Sequence, residues 1–96
     1  MNVYRIDDDD ETSLFCGPEQ LREFTICQVR DMLCVNSDEE IIEHVHRFMS
    51  KENHDFACKV LSDFRQDETV LDNVSEEFLM DLIKMIGFEV RKLDIH

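Results

Sequence analysis

Only two glycines and one proline interrupt this 96-residue chain. Tight turns between strands use glycine to supply positive φ angles and proline to preset the first turn residue. A protein made of many short strands needs more of both. The chain therefore cannot be an all-β protein with many tight turns.

The length and the apolar content predict a single domain. Ninety-six residues lie near the commonest domain size, and 43% of them are hydrophobic. A disordered acidic chain would lack this supply of aliphatic and aromatic side chains. We therefore expect one domain over residues 1–96 with one core.

Three segments have the character of β-strands. Residues 1–6 and 12–16 flank a run of five acids, which repel one another and favour a solvated hairpin loop. Residues 88–95 follow a glycine and form a third candidate strand. Phe88 and Val90 share one face of it, whereas the alternation of side chains along a strand places Leu93 and Ile95 on the other face. We expect a bulge there, or a strand buried on both sides.

Four amphipathic stripes between these strands predict helices. The first stripe follows Gly17-Pro18, since proline suits the first helical turn. The second follows Ser37, which forms a capping-box pattern with Glu40. We expect Asn53 to cap the third helix and Asn73 the fourth, with residues 65–72 as a loop before it. The stripe residues are Leu21, Phe24, Val29, Met32 and Leu33; Ile41, Ile42, Val45, Phe48 and Met49; Phe56, Ala57, Val60, Leu61 and Phe64; and Phe78, Leu82, Met85 and Ile86.

Gly87 ends the last stripe, where a helix commonly terminates in the left-handed conformation. The predicted fold is therefore α+β. It has a small antiparallel or mixed three-stranded sheet, made of the N-terminal hairpin and the C-terminal strand, with about four helices on one face.

The charge of the chain determines which partners it can bind. It carries 23 acidic and 10 basic residues, a formal net charge of −13. Binding to nucleic acid or to an anionic membrane requires lysines and arginines that displace counterions, so neither is an expected direct partner. No apolar run is long enough to span a membrane. A basic protein would instead be attracted.

The acids are clustered. No Lys or Arg lies between Ile6 and Leu21, and none lies between Gln66 and Ile83. These stretches predict a coherent negative surface, although solubility alone would also account for them. The candidate partner-binding residues are Asp7, Asp8, Asp9, Asp10, Glu11, Asp67, Glu68 and Asp72.

Cofactor and enzyme signatures are missing. No CxxC motif is present, and the two isolated glycines cannot build a phosphate-binding loop. His54 and Cys58 share a helical face, but two ligands do not make a zinc site. We therefore expect no enzyme activity, no cofactor and no metal. The first residues lack a secretory leader, which predicts a cytoplasmic protein with reduced thiols.

Two functions are the leading hypotheses, and a third, a metal-dependent fold or sensor, would need His44 or His46 to join His54 and Cys58. The first is an acidic protein that occupies the basic surface of a partner, most naturally a nucleic-acid-binding protein or enzyme, and inhibits or modulates it. The alternative is an interaction or homodimerisation module that binds through apolar contacts, with acidity serving solubility only. Its anchors would be apolar residues off the main stripes, such as Phe15, Ile26 and Met80. The protein is expected to be a monomer or a homodimer.

Overall fold

A computed structural model describes residues 2–94 of the chain. Three strands and four α-helices form the framework, and two short 3-10 helices connect them. The order is β1 (Asn2–Asp7), β2 (Thr12–Cys16), α1 (Pro18–Val35), α2 (Asp38–Phe48), a 3-10 helix (Lys51–Asn53), α3 (His54–Phe64), a 3-10 helix (Glu68–Asn73), α4 (Glu76–Ile86) and β3 (Glu89–Asp94). The predicted α+β class is confirmed.

The sheet is antiparallel throughout, with the strand order β2-β1-β3. Its first strand is central, and the last strand returns to pair with it. The register between β1 and β3 is continuous, with Ile6 opposite Val90 and Val3 opposite Leu93. The expected bulge is therefore wrong for residues 89–94, and Ile95, on which it also rested, lies outside the described residues. Leu93 lies on the face opposite Val90 and is 39% exposed, so burial on both sides is wrong as well.

One face of the sheet is packed against helices. Tyr4, Ile6 and Val90 are buried on this inner face, and α1 and α4 contact the strands. Three rings from β2, α1 and the approach to β3 continue the core: Phe24 lies 5.0 Å from Phe15 and 5.5 Å from Phe88, between ring centroids. Helix α4 supplies the largest buried set, which consists of Phe78, Leu79, Leu82, Ile83 and Met85.

The first helix is one continuous element. Gly17 precedes it with a φ of 87°, a conformation that glycine adopts without strain, and Pro18 occupies the first turn. Thr25 is fully buried inside it, and its hydroxyl donates to the Leu21 carbonyl at 2.7 Å. That bond satisfies a polar side chain that would otherwise weaken the core.

The predicted start of α2 is confirmed, but part of its predicted core face is wrong. Ser37 and Glu40 form the reciprocal capping box. Ile42 and Phe48, however, are 47% and 49% exposed. Phe48 lies at the end of the helix, where it contacts the Arg47 guanidinium and the His44 ring and not the core. Phe56 of α3 is likewise 48% exposed, although its ring packs edge-on against Phe78.

Two predicted helix caps differ from those observed. Asn53 precedes α3 as expected, but its side chain donates to Asp81 at 2.7 Å and does not cap the helix. Helix α4 is capped by Ser75, whose hydroxyl accepts from the Phe78 backbone, and Asn73 instead ends the preceding 3-10 helix. Gly87 ends α4 with a φ of 116°, as predicted.

Residues 65–72 are only partly the predicted loop. The segment forms a turn and then the 3-10 helix at Glu68–Asn73. Leu71 within it is fully buried, and its carbonyl accepts from the Arg22 side chain of α1 at 2.9 Å. The segment is therefore fixed to the helices, which gives the acids around it defined positions.

Candidate functional site

The hairpin between β1 and β2 holds the first acidic cluster. Its tip comprises residues 8–11 and is closed by a hydrogen bond from the Asp8 amide to the Glu11 carbonyl at 2.8 Å. The Asp8 carboxylate accepts from the Asp9 amide at 2.7 Å. The side chains of Asp9, Asp10 and Glu11 are exposed and form no hydrogen bond or ion pair with any described residue. We call residues 8–11 the acidic tip.

Asp7 has a different environment from the acidic tip. Its carboxylate accepts from the Thr12 hydroxyl at 2.7 Å and from the Arg5 guanidinium at 3.2 Å. The bond from Thr12, and then the charge and bond of Arg5, hold the pKa of Asp7 below its usual range. Asp7 thus joins the two strands at the base of the hairpin, while the unpaired carboxylates lie beyond it.

The second acidic cluster lies around the 3-10 helix at Glu68–Asn73. The Asp67 carboxylate accepts from the hydroxyl and the amide of Thr69, at 2.6 and 3.0 Å, and these bonds lower its pKa. Glu68 forms an ion pair with Arg30 of α1 at 2.6 Å. Asp72 is exposed and makes no side-chain bond within the described part of the chain.

The structure places the two clusters on separate elements. The acidic tip belongs to the sheet, whereas the 3-10 helix packs against α3 and α1. Within residues 2–94, no side-chain hydrogen bond or ion pair connects them. They are therefore two separate acidic patches on different elements of the fold.

Internal ion pairs neutralise only a small part of the acidity. Such exposed pairs contribute at most about 1 kcal/mol each. A competing cation from a partner can consequently replace one of them at low cost. The pairs among the described residues are Arg5–Asp7, Arg30–Glu68, Arg65–Asp38 and Lys92–Glu76.

A shallow depression borders the second acidic cluster. Its volume is about 660 Å³, with Asp67 and Glu68 on its rim and Leu33 and Phe64 among its lining. A second groove of about 250 Å³ is lined by residues of α1, α2 and α3 and shares Leu33 and Arg65 with the first. Most small-molecule sites have volumes of roughly 300–1,000 Å³, a range that includes the first cavity but not the second.

The histidines and cysteines do not assemble into a metal site in the part of the chain that is described. The His46 and His54 rings lie 4.6 Å apart between centroids, and His54 Nε2 is 3.0 Å from the Met49 carbonyl oxygen. No group of three or more His, Cys, Asp or Glu side chains within residues 2–94 could hold a metal ion. Cys58 is half-buried, and all four cysteines are free thiols.

A buried tyrosine beside a carboxylate is the polar feature that the sequence did not reveal. Tyr4 is fully buried and lies opposite Lys92 in the sheet, and Lys92 donates to Glu76 at 2.9 Å. The Tyr4 hydroxyl has no partner at regular hydrogen-bond geometry, yet the Glu76 carboxylate is close enough to act on it. Burial, and then Glu76, raises the pKa of Tyr4 to about 12. Tyr4, followed by Lys92, lowers the pKa of Glu76.

The titration of Tyr4 can be observed directly, because the chain has one tyrosine and no tryptophan. The tyrosinate absorbance is expected to rise with a midpoint near pH 12, compared with about 10 in urea. Since the folded pKa is the higher one, stability is fully present below pH 10 and is lost as the pH rises towards 12. Glu76→Gln should lower the midpoint but leave it above 10, because burial is the larger cause. A folded-state midpoint at 10, with circular dichroism confirming the fold, would contradict the buried phenol.

Comparison with known protein-family models finds no match, and comparisons with curated proteins and with solved structures find none either. Among the helices described here, none combines the length and the apolar character that crossing a bilayer requires.

Proposed function

We propose that this protein binds the basic, nucleic-acid-binding surface of a partner protein through its clustered carboxylates and modulates or inhibits that partner. The observation that carries the proposal is the acidic tip, where four successive exposed acids leave three carboxylates without an internal partner. Carboxylates accept the same charge-assisted hydrogen bonds from arginine and lysine that phosphates accept.

The hairpin suits this role because it presents the acids from a defined frame. The ladder from Val3 opposite Cys16 to Asp7 opposite Thr12 is regular, and the bonds that Asp7 accepts fix its last pair. Because the backbone of the hairpin is already ordered, little conformational entropy is lost when a partner binds.

The second acidic cluster would contribute by exchanging an internal ion pair for one with the partner. Asp72 is available as it stands, whereas Glu68 is occupied by Arg30. An arginine from the partner can take the place of Arg30, because an exposed pair of this kind is weak. The long-range field of a chain with a net charge of −13 would speed the encounter.

Affinity capture tests the proposal. Immobilised protein is incubated with a cell lysate at low salt, and the retained proteins are identified by mass spectrometry. Nucleic-acid-binding proteins are expected to be retained, to elute as the ionic strength rises and to be displaced by added DNA or RNA. Partners that resist both salt and nucleic acid would contradict the proposal.

The alternative function is an interaction or homodimerisation module that binds through apolar contacts. Exposed leucines on the outer face of the sheet favour it, since Leu14 is 63% and Leu93 39% exposed. The anchors expected from the sequence, Phe15, Ile26 and Met80, are half-buried against the core and so offer a partner only part of their surface. More exposed apolar side chains lie on the outer face of the sheet and on α2 and α3.

A further inference from the structure

The two edges of the sheet differ in charge. Strand β2 forms one edge and β3 the other, with β1 between them. Four of the six residues of β3 are charged, and charged side chains protect an edge from pairing with another chain. The β2 strand has no charged residue, and Leu14 at its centre is 63% exposed. The β2 edge therefore lacks the protection that the β3 edge has.

The hydrogen bonds of the hairpin show which backbone groups of β2 face this edge. Bonded and non-bonded residue pairs alternate along antiparallel strands. The Asp8 amide donates to the Glu11 carbonyl at 2.8 Å, so the pairs that Thr12 and Leu14 form with β1 are non-bonded ones. The amides and carbonyls of Thr12 and Leu14 therefore point away from β1. No other hydrogen bond to these groups is found among the described residues.

One end of the β2 edge is closed, and the other end adjoins the acidic tip. The Cys16 amide points outward by the same alternation, and it donates to the Gln20 side chain at 2.8 Å. This bond occupies the end of β2 that leads into α1. Thr12 and Leu14 form the open part of the edge, which follows directly after the acidic tip. Unpaired backbone groups and unpaired carboxylates are thus adjacent along one strand.

We propose that the basic partner binds the open part of the β2 edge as an extended segment, with Lys or Arg directly after the paired residues. The segment would pair antiparallel to β2, as every strand pair of this sheet does. Its backbone would bond to Thr12 and Leu14, and its chain would then run alongside the acidic tip, where the basic side chains bind. This inference rests on the proposed function and adds how the partner is recognised.

A basic segment fits this edge better than a second copy of the chain does. The acidic tip attracts the cationic end of such a segment, whereas two copies each carry a net charge of −13 and repel one another. Strand β2 carries no charge that would oppose the paired residues. An uncharged stretch followed by Lys or Arg is therefore complementary to the open edge and to the tip beside it.

Amide exchange measured by NMR on the full-length protein tests the inference. The probe is a synthetic peptide of alternating Thr and Val, which favour extended structure, followed by Lys-Arg-Lys-Arg. The Thr12 and Leu14 amides are expected to exchange rapidly in the free protein and slowly once the peptide is bound. The Ser13 and Phe15 amides face β1 and should already exchange slowly without it. Unchanged exchange at Thr12 and Leu14 under saturating peptide would contradict the inference.

Backbone N-methylation of the peptide separates strand pairing from charge attraction. Methylating every Thr and Val amide leaves the charge of the peptide unchanged but removes the donors that β2 requires. The affinity is expected to fall about tenfold or more, because at least two backbone hydrogen bonds are lost. The matched control is methylated only at the Lys and Arg amides. It should bind nearly as well as the unmodified peptide, since these residues act through their side chains.

Three outcomes would overturn the inference. In the first, the two methylated peptides bind equally and Asp8→Asn/Asp9→Asn/Asp10→Asn weakens both, which would support the proposed function without strand pairing. In the second, the Asn substitutions leave peptide binding unchanged, which would count against the proposed function as well. In the third, sedimentation shows a dimer in which the Leu14 amide is already protected, which would identify a second copy as the occupant of the edge.

Discussion

Replacing Asp8, Asp9, Asp10 and Glu11 together by Asn and Gln is expected to lower the affinity for a basic partner by about tenfold or more at low ionic strength. Three of these four carboxylates lack an internal partner, so no bonded group has to be released before they bind. The loss should lie mainly in the association rate, and it should shrink as salt is added. Surface plasmon resonance with a synthetic arginine-rich peptide, and then with any captured partner, measures both effects.

A matched variant distinguishes the acidic tip from net charge. Glu23, Asp31, Glu43 and Asp63 are exposed acids on α1, α2 and α3 that form no side-chain bond with described residues. Converting them to amides removes the same four negative charges. The arginine-rich peptide should bind this variant almost as well as it binds the wild type. An equal loss in both variants would show that overall charge, and not the hairpin, determines binding.

Leu79→Ala is expected to lower the free energy of unfolding by about 2–5 kcal/mol. Leu79 is fully buried in α4, the helix that packs against α1, α2 and β3. Truncation leaves a cavity in a close-packed core, and the surrounding side chains can relax around it only in part. Because domains of this kind are stable by about 5–15 kcal/mol in total, a loss of this size is a large fraction of the free energy of unfolding.

Leu14→Ala provides the control for this measurement. It is the same chemical change at a side chain that is 63% exposed. Urea denaturation followed by circular dichroism should show a loss of less than about 1 kcal/mol for this variant. Similar losses at both positions would mean that α4 does not form the centre of the core.

The sequence predicts the elements of this fold where local chemistry decides them. The capping box of Ser37 and Glu40 and the left-handed Gly87 are confirmed because each depends on residues within one helical turn. The N-terminal hairpin is predicted because the acidic run separates two segments with the character of strands. Local signals also conflict, however. Asn73 and Ser75 are both good N-caps by residue type. The choice of Ser75 depends on tertiary packing, since Leu71 and Val74, which precede α4, are buried.

Long-range contacts explain the parts of the fold that the sequence did not predict. Asn53 donates to Asp81, which is 28 residues away, and so does not cap α3. The sequence of the 3-10 helix at Glu68–Asn73 shows no apolar periodicity, because a single buried residue, Leu71, anchors this segment to the core. The phase change at Leu93 suggested a bulge, whereas it marks a leucine on the uncovered face.

The candidate site was predictable as a location but not in its electrostatic detail. Clustering identified both acidic stretches, and the structure shows the acidic tip exposed on a hairpin as expected. The pairing of Glu68 with Arg30 joins residues 38 apart, so no local pattern could reveal that this acid is occupied. Likewise, β2 keeps one open edge only because the last strand pairs with β1.

That strand order also affects synthesis of the protein on the ribosome. Residues 8–88 must be translated between the end of β1 and the start of β3. At about 5–20 residues per second, the central strand waits roughly 4–16 s for its second neighbour. Throughout that interval one edge of β1 offers unpaired amides and carbonyls to other nascent chains. The acids that follow β1 emerge at once, and their mutual repulsion keeps neighbouring copies apart until β3 closes the sheet.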